Sequence, residues 1–276
     1  MIVSPTKLFI TFNHLRLKKR MIHDIMLYSQ SAINRGTDTM TKRQVKSRER
    51  VMDHGEVFTA QREVNAMLDL VKQETERIDS RFLEPACGDG NFLAEILRRK
   101  LAVVDARYGK STADYEKYAV MAVTSIYGVE ILQDNVEECR GRLFNIWDEA
   151  YTAHCKFECT EECREAVRYI LERNVLCGNA LTLKKVDSEG EDTDAPIIFS
   201  EWTFTGKSSL KRSDYRLDVL MRENVDDMNY QHQLSLFHEV ENDPNQWMED
   251  PETHKSIPKP IKEFPPVYYW KVWKEE

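Results

Sequence analysis

The chain has 276 residues, 41% hydrophobic and 10% aromatic, which is enough for one sizeable core with extensions or for two small domains. A mean hydropathy of −0.57, no run near the roughly 18 apolar residues of a membrane span, and a first apolar run too short for a secretory leader together predict a soluble, cytoplasmic chain with no membrane partner. The net charge is −8, yet residues 1–50 carry eleven Lys/Arg against three Asp/Glu, so a basic arm sits on an acidic body; such an arm suits contact with nucleic acid phosphates and equally suits plain disorder.

In chain order, residues 1–49 read as a basic, largely irregular extension, and Met40 offers a second candidate start that would make 1–39 an upstream extension. From Gly55 the order becomes regular. Val64, Met67, Leu68 and Val71 recur at helical spacing, and a short strand over 81–84 ends in Pro85. Helical periods follow over 92–101 and 115–123, separated by a polar stretch over 106–114. A strand is predicted over 125–131, helices over 136–147 and 161–171, and strands over 174–177 and 196–202. Strands alternating with helices predict an α/β fold with a parallel sheet covered on both faces. After Trp202 the pattern decays. Residues 206–263 read as a polar linker, acidic and proline-bearing from 238, and 264–276 as an aromatic segment that closes a sheet or docks as a tail.

Six cysteines without a leader predict reduced thiols rather than a disulfide frame. Cys155, Cys159 and Cys163, beside His154, would form one stripe on a helix. That spacing matches no zinc pattern, so small half-buried thiols are the expected reading and no metal site is predicted.

The strongest motif is Leu83-Glu84-Pro85-Ala86-Cys87-Gly88-Asp89-Gly90-Asn91-Phe92-Leu93, a strand that enters a glycine turn and leaves as a helix. Gly88 and Gly90 let backbone approach a ligand closely, and the amides at the helix start face it. The string resembles the Asp-Pro-Ala-Cys-Gly-Ser-Gly-x-Phe-Leu signature of the S-adenosylmethionine (SAM) dependent adenine-N6 DNA methyltransferases of restriction–modification systems, with Glu84 and Asp89 as mild replacements. Three further pieces follow the family's order. Gly55-Glu56-Val57-Phe58-Thr59 resembles the segment over the methionine part of the cofactor, with Ala60 where proline is usual. Tyr127-Gly128-Val129-Glu130-Ile131 resembles the strand whose acid accepts from both ribose hydroxyls and whose next residue packs on adenine. Cys177-Gly178-Asn179-Ala180-Leu181 resembles the Gly-Asp-Ala-Leu turn that meets the adenine amino group, with Asn179 for Asp.

The resemblance covers about residues 50–202, within a SAM-binding domain expected over 50–205. It implies a Rossmann-like three-layer sandwich with an incomplete sheet and N- and C-terminal extensions. It assigns cofactor contacts to Phe58, Thr59, Glu84, Pro85, Ala86, Cys87, Gly88, Gly90, Phe92, Glu130, Ile131, Asn179 and Ala180. The family's next strand ends in Asn/Asp/Ser-Pro-Pro-aromatic, whose first side chain accepts from the target amine and whose ring stacks on the flipped base. This chain has Ser200-Glu201-Trp202 there, without either proline, so those three are the catalytic candidates.

The resemblance implies methylation of adenine N6 in DNA, in a restriction–modification or phage-related system. A target-recognition domain is absent, which implies a second specificity or methylase subunit. The alternative is a non-catalytic SAM-binding or regulatory subunit that tethers a partner to DNA; an RNA or protein methyltransferase is a weaker third. Outside the domain, Gln233-Leu234-Ser235-Leu236-Phe237 resembles the peptide by which bacterial proteins dock on the replication sliding clamp. Leu236 and Phe237 would fill an apolar pocket there, with Leu234 beside them and Gln233 at its rim.

Overall fold

A computed structural model of the chain describes residues 10–12, 59–222, 244–251, 254 and 256–274. The architecture is mixed α/β. Strands β1 (Ile10–Phe12), β2 (Arg81–Glu84), β3 (Ile126–Glu130) and β4 (Val175–Cys177) form one sheet in that spatial order. β2, β3 and β4 are parallel, as the alternating pattern predicts, and β1 lies antiparallel on the β2 edge. Every residue of β3 is buried, as expected for a parallel strand with both faces covered.

Helices α1 (Gln61–Asp69) and α2 (Lys72–Thr75) precede β2. Helices α3 (Asn91–Tyr108) and α4 (Thr112–Thr124) join β2 to β3, and α5 (Gln133–Cys155) and α6 (Glu161–Asn174) join β3 to β4. Two helix starts are written locally. Ser111 accepts from the Asp114 amide at 3.3 Å and Thr160 from the Cys163 amide at 3.2 Å, each satisfying an orphan donor of the first turn. Helix α3 runs through Ala106 and Arg107, which the sequence placed in a polar connector; Val104 on its inner face is fully buried.

The two faces of the sheet are covered differently. At Gly128 a Cβ would lie 3.0 Å from Leu93 of α3, so α3 packs on that face without room for a side chain. Tyr127 points the other way, as neighbours on a strand must. Its ring meets Phe199 edge-on at 5.3 Å and its hydroxyl donates to the Ser200 carbonyl at 3.0 Å. The second face is therefore met by a hairpin of β7 (Ile198–Thr205) and β8 (Ser209–Arg216), which follows a smaller hairpin of β5 (Lys184–Val186) and β6 (Asp192–Pro196). The strand expected over 196–202 forms, but it pairs with β8, which in turn carries the C-terminal strands, and it is not a fourth parallel strand of the central sheet.

The chain beyond Trp202 is also more ordered than its composition predicts. After β8 come α7 (Leu217–Arg222), the pair β9 (Trp247–Glu249) and β10 (Ser256–Pro258), and then β11 (Lys262–Glu263) and β12 (Val267–Tyr268), both antiparallel to β8. The boundary predicted at 205/206 thus falls inside the β7–β8 hairpin, and parts of 206–263 belong to the sheet. The aromatic segment ends in a 3-10 helix, Tyr269–Lys274, which packs on α6. Glu116 of α4 anchors it, accepting from the Tyr269 hydroxyl at 2.6 Å and, through its other oxygen, from the Tyr151 hydroxyl at 2.5 Å.

A lysine stitches the starts of two strands. Lys100 is fully buried, and its Nζ donates to the carbonyls of Ile78 and Ser80 and to Ser125 Oγ. Cys155, Cys159 and Cys163 do not share a helix, contrary to expectation. Helix α5 ends at Cys155 and α6 opens at Glu161, with Lys156 at φ 51° turning the chain between them. Among the described residues no helix is long and apolar enough to cross a membrane.

Candidate functional site

The site is built where the parallel strands end. β2 closes at Glu84, and Pro85 and Ala86 turn the chain. The Cys87 amide continues the ladder by donating to the Val129 carbonyl at 3.0 Å. Gly88 (φ +53°) and Gly90 (φ +88°) then take left-handed conformations that a Cβ disfavours. Gly90 has a second constraint, because a Cβ there would sit 2.6 Å from Cys139 Sγ on α5. Helix α3 opens directly from Gly90, and no side chain caps its first turn. Its start presents backbone amides and the positive end of the helix dipole.

Glu130, the last residue of β3, reaches this turn. Its Oε2 accepts from the Gly88 amide at 2.8 Å and its Oε1 from the Leu132 amide at 3.2 Å. Two carboxylate oxygens offer about four acceptor positions, so acceptor capacity remains beyond these two bonds. The Gly178 amide, just past β4, donates to the Glu130 carbonyl at 2.9 Å. The three motif segments around Gly88, Glu130 and Gly178 therefore converge on one edge, as their order along the chain predicts.

The remaining expected residues divide. Phe92 is buried in the first turn of α3, and Pro85, Ala86 and Ile131 are half-buried around the same turns. Ile131 offers its carbonyl to the Cys177 thiol at 3.5 Å. Thr59 is half-buried just before α1, and two residues on, Gln61 reaches Glu95 of α3 at 3.3 Å, which brings this segment beside the helix. Phe58 lies outside the described residues. Asn179 is committed locally: its Oδ1 accepts from the Leu181 amide at 2.9 Å and its Nδ2 donates to Asp192 at 2.9 Å. Ala180 follows it, half-buried against the core.

Ser200, Glu201 and Trp202 are not brought to this edge. β7 starts beside Gly178, where a Cβ would meet Ile197 Cδ1 at 2.7 Å. It then runs toward the beginnings of the parallel strands, where Glu201 pairs with Arg81, the first residue of β2, at 2.5 Å. Three residues of strand, about 10 Å, separate Arg81 from Glu84. Ser200 is buried with its hydroxyl donating to Asp214 at 2.7 Å. Trp202 is 5% exposed, its indole N–H donating to Asn174 at 2.8 Å. A ring so enclosed has no face to offer a flipped base. The catalytic assignment is corrected accordingly: these side chains fasten the hairpin to the sheet.

Two residues that sequence reasoning missed brace the glycine turn. Arg142 of α5 donates to Asp89 Oδ2 at 2.8 Å and to Asn91 Oδ1 at 2.8 Å. Cys139, three residues earlier on the same helical face, fills the space beneath Gly90. No short motif marks them; only their spacing on α5 could have paired them.

The thiols beside the turn are neutral groups. A hydrogen bond with Cys139, then burial, holds the Cys87 thiol well above the usual range, and burial, then the Glu130 carboxylate, pushes Cys177 up. Neither offers a thiolate nucleophile at neutral pH. What the edge does offer is backbone amides, an uncapped helix start and the Glu130 carboxylate, a set that binds and orients a ligand. No family model, no curated protein and no solved structure matches the chain.

Proposed function

We propose that the strand-end edge around Gly88, Gly90 and Glu130 binds S-adenosylmethionine and that the chain serves DNA adenine-N6 methylation in a restriction–modification or phage-related system. The observation that carries this reading is the 2.8 Å contact between the Gly88 amide and Glu130 Oε2. It joins the glycine turn to an acid 42 residues away, in the arrangement the family resemblance calls for. The residues fit the cofactor: the glycine turn lies close on α5 at a position that tolerates no Cβ, the α3 start faces the turn, and Glu130 retains acceptor positions suited to a vicinal diol. Bound SAM supplies a methyl group already activated by its sulfonium. The chain's own part is to seat the nucleoside, with Glu130 on the sugar and Ile131 beside the base.

The position of Ser200, Glu201 and Trp202 favours the second form of this reading, a SAM-binding subunit whose partner provides the groups that hold the target adenine. Calorimetry with SAM tests the first part. Replacing Glu130 by Ala should weaken binding roughly 10- to 100-fold, the value of hydrogen bonds to a charged group; unchanged affinity removes Glu130 from the site. Methyl transfer to unmethylated DNA, by this chain alone and with a candidate partner, separates the enzyme from the subunit.

The clamp-like peptide Gln233-Leu234-Ser235-Leu236-Phe237 lies outside the described residues, and its docking on a sliding clamp is proposed from sequence alone. A peptide spanning 230–240 that fails to bind purified clamp ends that proposal.

A further inference from the structure

Within the acidic body over residues 51–276, the last segment has the opposite character. Residues 256–274 hold four lysines against one glutamate, Glu263, and that glutamate is taken by Lys211 of β8 at 2.6 Å. The same segment contributes Phe264, Tyr268, Tyr269, Trp270 and Trp273. Tyr268 lies opposite Ser209 on β8, and the Tyr269 amide donates to the Ser208 carbonyl at 3.0 Å, so the 3-10 helix is fixed beside the Gly206–Ser208 turn. Lys207, exposed, stands in that turn. Lys117 of α4 meets the opposite face of the hairpin, its Nζ 3.4 Å from the Gly206 carbonyl and 5.7 Å from the Phe204 ring.

The rings are arranged as a platform. Tyr268 and Trp270 stack at 4.9 Å with planes 10° apart, and Tyr268 is 52% exposed. The Lys271 ammonium lies 5.7 Å from the Tyr268 ring. An apolar partner would not need Lys271 beside this stack, and an acidic peptide would not need the rings. A strand of nucleic acid uses both: its bases stack on aromatic faces and its phosphates meet the ammonium groups.

We infer that the surface formed by Tyr268, Trp270, Lys207 and Lys271 binds single-stranded nucleic acid, stacking a base on the open face of Tyr268. The inference extends the proposed link to DNA but does not depend on cofactor binding, because the surface is made by β12, the turn before β8 and the 3-10 helix rather than by the glycine turn.

The test is fluorescence anisotropy of a short labelled oligothymidylate with the full chain, without SAM, at low and moderate salt. The wild type should bind, and affinity should fall as salt rises. Tyr268→Ala should weaken binding about 5- to 100-fold at fixed salt, the range for loss of one stacked base. Reversing Lys207 and Lys271 to Glu should lower affinity and flatten the salt dependence. No binding by the wild type, equal binding by Tyr268→Ala, or tighter binding of duplex than of single strand overturns the inference. Calorimetry of Tyr268→Ala with SAM keeps the two readings apart. A chain that binds oligothymidylate but not SAM retains this inference and loses the cofactor proposal; the reverse result does the opposite.

Discussion

Arg142 of α5 holds Asp89 at 2.8 Å, tying the loop between the two turn glycines to the helix beneath it. The guanidinium also reaches Asn91, so one side chain fixes both the loop and the first residue of α3. Arg142→Gln should lower stability by about 1–3 kcal/mol, the range for a charged hydrogen bond lost near a buried acceptor. Urea denaturation measures it, and an unchanged midpoint would show that the loop holds itself.

Gly90→Ala is expected to be costly for two separable reasons. The left-handed backbone costs roughly 1–2 kcal/mol for a residue with a Cβ, and the clash with Cys139 Sγ adds about 1–3 kcal/mol of overpacking. Adding Cys139→Ala should recover the second part only. A double-mutant cycle reads the coupling, and strict additivity would mean that the contact with Cys139 carries no strain.

Lys100 makes stability depend on pH. Burial pushes its pKa well below the ordinary lysine value, so between the folded value and the unfolded value of about 10.4 the unfolded chain binds more protons. Stability from this group therefore rises with pH through that window and is lost as pH falls through the folded value. Comparison with Lys100→Met below about pH 8, before free thiols begin to ionise, isolates the effect. The wild type should lose stability relative to the variant on acidification, by at most about 1.4 kcal/mol per pH unit. Parallel curves would show Lys100 charged throughout.

The thiols should react in two classes. Cys87 and Cys163 are buried and raised, and burial pushes Cys155 up to about 12. Cys159 is half-exposed between the helices. Brief alkylation at neutral pH, followed by mass spectrometry, should label Cys159 in the native protein and Cys87, Cys155 and Cys163 only after denaturant. Fast labelling of Cys87 in the native state would mean that the glycine turn opens readily.

Much of the central sheet was legible because its signals are local. A hydrophobic strand, two glycines and an apolar helical period identify the turn at 84–92 without any tertiary information. The meeting of Glu130 with Gly88 follows from strand order, since the ends of neighbouring parallel strands share one edge. The β7–β8 hairpin was not legible, and β8 explains why. Its inward positions include Arg212 and Asp214, which neutralise each other at 2.6 Å and bond to Tyr169 and Ser200. Buried charges paired in this way leave no apolar alternation to read. Gly206, at φ +64° between two strands that pair along eight residues each, was the one available hairpin signal. Strand direction could not be read at all: 198–205 has the same composition whether it extends a parallel sheet or crosses its face.

Among the described residues the margins of the central sheet are three residues wide on each side, Ile10–Phe12 and Val175–Cys177. Such a rim leaves an incoming strand only one or two amides to grip. The longer border is that of β7, whose eight residues have β8 as their strand partner, so a second subunit that adds a strand would add it there rather than to the central sheet.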